Sequence, residues 1–174
     1  MKNLEIKAVA TDLPRLRRVL RELGARHEPR LLDQVDWYFA TPRGRLKLRR
    51  RKGEPVAELI FYMRPDATKA RTSEYQKLPV ADVPGTLRVL RAMFEPGVCV
   101  RKRRDLWLCG DTRVHLDRVA GLGTFVEIEV PFSRTAAGPR SVMRMLIGRL
   151  GIESRALLAC SYADLLAERA ARGE

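Results

Sequence analysis

Short segments in which apolar and polar residues alternate run through most of the chain. The first three lie at residues 3–10, 33–40 and 45–49, and in the last of these Arg or Lys alternates strictly with Leu. A period of two is typical of β-strands that have one polar face. Similar segments predict five further strands, at residues 58–64, 71–80, 98–109, 111–119 and 124–132.

Apolar residues at helical spacing interrupt this series of strands. Asp12 and Pro14 begin the first such segment as an N-cap and an early-helix proline, and Gly24 ends it. A second helix is predicted from about Pro84 to Phe94. After a linker at 133–140, two more helices are expected, one containing Val142 to Leu150 and the other Leu157 to Leu166.

The order of these elements predicts a single α+β domain over residues 1–174, with C-terminal helices at about 139–170. Consecutive strands joined by short turns favour antiparallel pairing, and eight strands are enough to close a barrel. Charged side chains on such a sheet most often face solvent. Here carboxylates and cations occupy alternate positions on several strands, so we predict an eight-stranded antiparallel closed β-barrel with a polar lumen and with helices packed on the outside.

Composition points to an anionic partner. The 174 residues carry 34 Lys and Arg against 21 Asp and Glu, a net charge of +13. Such a balance favours a nucleotide, a polyphosphate, a nucleic acid or an acidic membrane surface, although an Arg-rich genome explains part of the excess. The three cysteines lack the spacing of a zinc site. Without a signal sequence or a membrane-spanning apolar run, we expect a cytoplasmic protein.

Three carboxylates mark the segment from Val114 to Val130. Asp117 precedes a glycine-containing turn, and Glu127 and Glu129 follow it on the next predicted strand. Carboxylates opposite strands rich in Lys and Arg suggest a divalent cation bound beside a phosphorylated ligand. The sequence contains no phosphate-binding P-loop and no Gly-rich dinucleotide fingerprint.

Several motifs in order resemble those of one family. The chain is similar to the CYTH superfamily, or triphosphate tunnel metalloenzymes, and within it to the class IV adenylyl cyclase-like subgroup. The resemblance covers nearly the whole chain and rests on an N-terminal strand like the ExExK motif and on six further segments, which are 34–39, 45–49, 100–104, 116–123, 127–129 and 161–166. It implies an eight-stranded tunnel that binds a triphosphate and uses Mg²⁺ or Mn²⁺.

The resemblance also assigns roles to residues. It implies phosphate binding by Lys7, Arg45, Lys47, Arg49, Arg71, Lys102 and Arg104. It implies catalytic roles for Glu5, Lys7, Asp117, Glu127 and Glu129, with metal held by Glu5, Glu127, Glu129 and Asp117. Candidate substrate contacts are Asn3, Glu74, Arg113 and His115. Of the four consecutive cations at 101–104, about two should face solvent, because neighbouring strand residues point to opposite faces.

Three positions depart from the family pattern. Asn3 replaces the first Glu of ExExK, Met63 replaces a frequent Lys, and Gln76 replaces a frequent acid. The expected activity is therefore either phosphohydrolysis of a nucleoside or inorganic triphosphate, or cyclisation of ATP to cyclic AMP. The alternative is a basic tunnel that binds polyphosphate or RNA without turnover. We expect a small-molecule triphosphate partner, neither a membrane nor a nucleic acid, and leave a homodimer open.

Overall fold

The computed structural model describes residues 2–63, 71–132 and 138–173, with the side chains of 2, 29–32, 71, 73 and 74 left out. Eight strands run through these residues: β1 (Lys2–Val9), β2 (Arg26–Phe39), β3 (Arg45–Arg51), β4 (Ala57–Met63), β5 (Arg71–Val80), β6 (Pro96–Cys109), β7 (Thr112–Val119) and β8 (Gly123–Pro131). The helices are α1 (Leu13–Glu22), α2 (Val83–Met93), α3 (Pro139–Leu150) and α4 (Tyr162–Ala171), with a 3₁₀ turn at Ser154–Ala156. The predicted eight strands and the α+β class are confirmed.

All strands pair antiparallel in one strongly curled sheet. Their order is β1, β5, β4, β3, β2, β6, β7, β8, and β8 pairs again with β1. The ladder between β1 and β5 is short, running from Lys2 opposite Glu74 to Glu5 opposite Arg71. The ladder between β1 and β8 is longer, running from Asn3 opposite Pro131 to Val9 opposite Phe125. The prediction of a closed barrel is therefore met only in part. The sheet is curled, but the ladder that joins β1 to β5 is short.

The outer face of the sheet is apolar where helices cover it. The even-numbered residues of β1 and β8, such as Leu4, Ile6 and Ile128, are buried together with Leu20 of α1 and Leu146 of α3. A second cluster joins α2 to β2, β3 and β4. Because helices take the apolar face, the odd-numbered polar residues of β1, β7 and β8 are left on the inside.

Helix boundaries follow local signals. Asp12 caps α1 by accepting a hydrogen bond from the Arg15 backbone at 2.8 Å, and Gly24 follows the helix with a φ of +69°. The left-handed conformation is one that glycine adopts without steric cost, which confirms the predicted helix end. The prediction for the last helix was too long. Leu157 forms a β-bridge with Ala8, and α4 begins only after Ser161.

Helix α4 packs across one end of the curled sheet. Tyr162 and Ala163 of α4 are buried with Val100, Val119 and Phe125 in a third apolar cluster. Those three residues have the parity of the inward-facing set on β6, β7 and β8. Helix α4 therefore limits the interior at this end. None of the described helices is long and apolar enough to cross a membrane.

Candidate functional site

Polar side chains from all eight strands meet in one interior cavity of about 350 Å³. The predicted residues Glu5, Lys7, Lys47, Arg49 and Lys102 all line it. Eight Lys and Arg side chains face the cavity against four Glu. The predicted residues among the lining are Asn3, Glu5, Lys7, Lys47, Arg49, Lys102, Arg104, Arg113, His115, Glu127 and Glu129.

One wall of the cavity is organised by Asp36, which is buried on β2. Its carboxylate accepts two hydrogen bonds from the Arg49 guanidinium, both at 2.8 Å. It accepts a third from Lys47 Nζ at 3.0 Å, and Lys47 also lies 3.2 Å from the hydroxyl of Tyr38. Burial alone would raise the pKa of Asp36, but the charges of Arg49 and Lys47 hold it well below its usual value. Asp36 therefore holds the side chains of Lys47 and Arg49 in place on this wall.

A second wall is organised by Arg104 on β6, the strand that pairs with β2. Its guanidinium donates to both oxygens of Asp117, at 2.7 and 2.6 Å, and to Glu127. Lys7 lies 3.5 Å from the other oxygen of Glu127. Asp117 is fully buried, so its two oxygens serve this wall and not the open part of the cavity. A bidentate pair of this kind holds the guanidinium in one orientation.

Tyr162 joins this wall to helix α4. Its hydroxyl donates to Asp117 at 2.9 Å, and its ring lies under Lys7, whose Nζ is 3.8 Å from the ring centroid. The ammonium of Lys102 is 5.1 Å from the same centroid. Cations within about 6 Å of an aromatic face are attracted to its electrons. The helix thus supplies a surface that positions two cavity lysines.

Lys102 stands out among the cavity cations. Its side chain is buried, and burial, followed by the charge of Arg104, lowers its pKa to about 7. Asp117, whose oxygen is 3.8 Å from Lys102 Nζ, opposes that shift. At neutral pH the side-chain amine of Lys102 is therefore protonated in only about half of the molecules. An anion in the cavity would favour its charged form.

The cavity also contains one group of side chains that suits a metal ion. One ligand atom from each of His115, Glu127 and Glu129 lies within 4.8 Å of the others. Both ring nitrogens of His115 are buried without a hydrogen-bond partner, although Nε2 is 3.4 Å from a Glu129 oxygen. Burial and the charge of Arg104 lower the pKa of His115, which favours the neutral imidazole that binds metals. Carboxylates and imidazole fit a divalent cation such as Mn²⁺, and the carboxylates fit Mg²⁺.

Some predicted residues lie elsewhere. Asp117 sits behind the wall, as described above. Arg45 donates to Asp164 of α4 at 2.7 Å instead of facing the centre of the cavity. The side chains of Arg71 and Glu74 lie outside the described residues. Met63 and Gln76 are exposed on the outer side, so these two departures from the family pattern do not alter the described cavity wall.

Residues to which the sequence analysis gave no role in the site complete the lining, and they are Gln34, Tyr38, Arg51, Glu54, Ile60, Tyr62, Tyr75, Lys77, Leu106, Ser161 and Tyr162. Asp36, which is buried behind Lys47 and Arg49, is the most consequential residue without a predicted role. The role of Asp36 depends on strand register, because Asp36 lies directly opposite Arg49 in the ladder between β2 and β3. Without the pairing of those strands, the sequence gives no reason to place Asp36 next to a cation.

The fold and the cavity define a class of protein in which a curled antiparallel sheet surrounds a cationic interior that also holds carboxylates. The CYTH domain family matches residues 1–158, and this chain belongs to that family. Among curated proteins, no sequence gives a significant match.

Solved structures share the fold. A protein from Pyrococcus horikoshii OT3 superposes with a TM-score of 0.83 at 22% identity, covering 94% of this chain and 98% of its own. A candidate adenylate cyclase from Vibrio parahaemolyticus gives 0.75 at 16% identity, covering 95% and 97%. A candidate adenylyl cyclase from Hippeastrum with a dominant triphosphatase activity gives 0.64 at 14% identity, covering 97% and 96%. At these identities the likeness concerns the fold.

Proposed function

We propose that this protein is a metal-dependent enzyme that acts on a nucleoside or inorganic triphosphate, by phosphohydrolysis or by cyclisation of ATP. The observation that carries the proposal is the cavity itself, in which buried Lys and Arg side chains from both walls face one interior space. Buried cations are costly unless they are compensated, and a ligand with several negative charges would compensate them. Family membership supports the same conclusion.

Phosphate binding falls to the cations held on the two walls. Arg49 and Arg104 are each fixed by a bidentate carboxylate, so they are oriented before a ligand arrives. Lys7, Lys47 and Lys102 add compact charges between them. Pre-oriented donors stabilise an anion without a further cost of ordering side chains. In this scheme Asp117 is a positioning residue for Arg104 and not a metal ligand. Arg45, Arg71, Glu74 and Asn3 remain predicted contacts.

Metal binding falls to Glu127, Glu129 and His115, with Glu5 paired beside Glu129 on the neighbouring strand. When bound there, Mg²⁺ or Mn²⁺ would neutralise phosphate charge and orient the attacking oxygen. The carboxylates now pair with Lys7, Arg104 and Arg113. A triphosphate that enters with its metal gives those cations new anionic partners and leaves the carboxylates available. Substrate and metal should therefore bind together.

A substrate panel tests this function. ATP, GTP, tripolyphosphate and thiamine triphosphate would each be incubated with Mg²⁺ or Mn²⁺, and cyclic nucleotide, pyrophosphate and phosphate would be resolved. We expect turnover of at least one substrate that chelation of the metal abolishes. Binding without turnover under every condition would contradict the enzyme and support a non-catalytic tunnel.

Paired variants test the site. Glu129→Gln keeps the shape of the side chain but removes its charge, and we expect it to lower turnover and metal affinity by more than about tenfold. Glu22→Gln makes the same change on the exposed face of α1 and should leave both unchanged. Equal metal affinity in the two variants would show that the metal site lies elsewhere.

A further inference from the structure

A second concavity extends over the outer face of the sheet, and it shares only Gln34 and Lys102 with the lining of the proposed active site. Its volume is about 740 Å³, and it is formed where β3, β2, β6, β7 and β8 lie side by side. Five exposed cations line this outer groove: Arg50, Lys52, Arg101, Arg103 and Arg118. Asp33 is the one acidic side chain among its lining residues. The groove is therefore strongly basic.

Strand register explains why these cations collect on one face. Val35 pairs with Arg50 on one side and with Arg101 on the other. Lys102 and Arg104, which have the opposite parity on β6, point into the cavity. The prediction that the 101–104 run divides between two faces is thus confirmed, and the division leaves Arg101 and Arg103 on the outside.

The groove brings like charges together with little internal compensation. Arg103 pairs directly with Arg118 across β6 and β7. Like charges directly opposite on neighbouring strands are destabilising. Asp33 lies 3.2 Å from Arg103, but both side chains are well exposed, so this pair offsets little of the repulsion. The arrangement favours an anionic partner from outside the chain.

We propose that the outer groove binds the phosphate backbone of a double-stranded nucleic acid. The groove crosses five neighbouring strands, and the four spacings between them give it a width of about 19 Å. A duplex presents one negative charge per about 1.7 Å of its axis, so a dense array of phosphates would meet the five cations. No aromatic side chain is among the lining residues, so the groove lacks the stacking platform that single-stranded ligands use.

The sequence analysis considered RNA only as an alternative ligand of the tunnel, whereas this proposal places a nucleic acid on the outer face of the sheet. Net charge alone could not separate a cationic interior from a cationic outer face. The strand register assigns the exposed cations of the groove and the cations of the cavity to opposite faces of the sheet.

Salt-dependent binding tests the proposal. Fluorescence anisotropy would measure the affinity of labelled duplex DNA and duplex RNA at 50 and 200 mM KCl. Five phosphate contacts predict a roughly 500-fold loss of affinity for duplex DNA over this range. The triple variant Arg101→Gln, Arg103→Gln, Arg118→Gln leaves two contacts, so its loss should shrink to roughly tenfold and its affinity at 50 mM should fall steeply.

A matched triple variant controls for net charge. Arg18→Gln, Arg88→Gln, Arg91→Gln removes the same charge from exposed positions on α1 and α2. It should bind duplex nearly as well as the unchanged protein, and thermal unfolding would check that both triples fold. Equal weakening in the two triples, or tighter binding of a single strand than of either duplex, would overturn the proposal. Discrimination between duplex DNA and duplex RNA would identify which one the groove serves.

Discussion

Asp36 shows how one buried side chain can set the charge of a binding wall. It is 1% exposed and bonded to both Lys47 and Arg49. Removing one partner of a buried ion pair leaves the other charge uncompensated. We therefore expect Asp36→Asn to lower the free energy of unfolding by about 3–5 kcal/mol at pH 7, as measured by urea denaturation.

The same substitution has a pH signature. The pKa of Asp36 is held below its ordinary value of 3.8 in the folded protein, so its stabilising effect is present above 3.8 and is lost as the pH falls through the folded-state pKa. The difference in stability between Asp36→Asn and the unchanged protein should thus shrink in acid. Glu153→Gln, which alters an exposed ion pair, should change stability by less than about 0.5 kcal/mol. A pH-independent difference would contradict the assignment.

Lys102 should couple anion binding to proton uptake. Its pKa of about 7 means that much of the population is neutral at pH 7.5, and a bound triphosphate would raise that pKa. Arg104 and Arg49 repel its proton, whereas Asp117 and Asp36 attract it. Calorimetry of tripolyphosphate binding in two buffers of different ionisation enthalpy, without metal, should show net proton uptake at pH 7.5.

The comparison for this measurement is Lys102→Arg. A guanidinium stays charged at this pH, so the variant should take up fewer protons than the unchanged protein. Because the ligand's own protons contribute equally to both measurements, the difference reports Lys102. Identical proton uptake by the two proteins would show that Lys102 is already fully charged.

At the scale of elements, α4 depends on its N-terminal cap to present Tyr162. Ser161 accepts a hydrogen bond from the Asp164 backbone, and Asp164 accepts one from the Ser161 backbone at 2.8 Å, which forms a capping box. Loss of an N-cap typically costs about 1 kcal/mol. Ser161→Ala should therefore lower the free energy of unfolding by about that amount and weaken triphosphate binding, as followed by denaturation and calorimetry.

The control for Ser161→Ala is Ser141→Ala, a substitution at an exposed position inside a different helix, α3. It removes a hydroxyl without removing a cap, and alanine favours a helix, so stability should be unchanged or slightly higher. If Ser161→Ala destabilises the protein without affecting triphosphate binding, α4 supports the fold but does not position the cavity lysines.

At the scale of the whole molecule, a ligand that relieves repulsion in the cavity should stabilise the fold. Binding at 100 times the dissociation constant adds about 2.7 kcal/mol. For a chain of 174 residues, this corresponds to a rise in melting temperature of roughly 5–11 °C. Scanning calorimetry with tripolyphosphate should show that rise, and an equal ionic strength of chloride should not. Equal shifts with both salts would argue against a specific anion site.

Much of the architecture was predictable because alternation is a local signal. The strict alternation of 45–49 and the Gly24 helix end each depend on neighbouring residues alone, and both appear in the structure. Alternation also predicted that Glu5, Lys7, Glu127 and Glu129 would share one face of the sheet, and all four line the cavity. The length of the closing ladder and the start of α4 were not predictable, since both depend on how distant segments meet.

By itself, the sequence determined the eight strands, the positions of most helices, the excess of positive charge and the set of polar residues that would share a face. Those features follow from backbone periodicity and residue chemistry, which act over a few residues. Only the tertiary structure decided that Asp36 holds Lys47 and Arg49, that Asp117 lies behind Arg104, and that Arg101 and Arg103 line an outer groove. Partners on different strands are set by register, and register is fixed only when the whole sheet curls and packs against its helices.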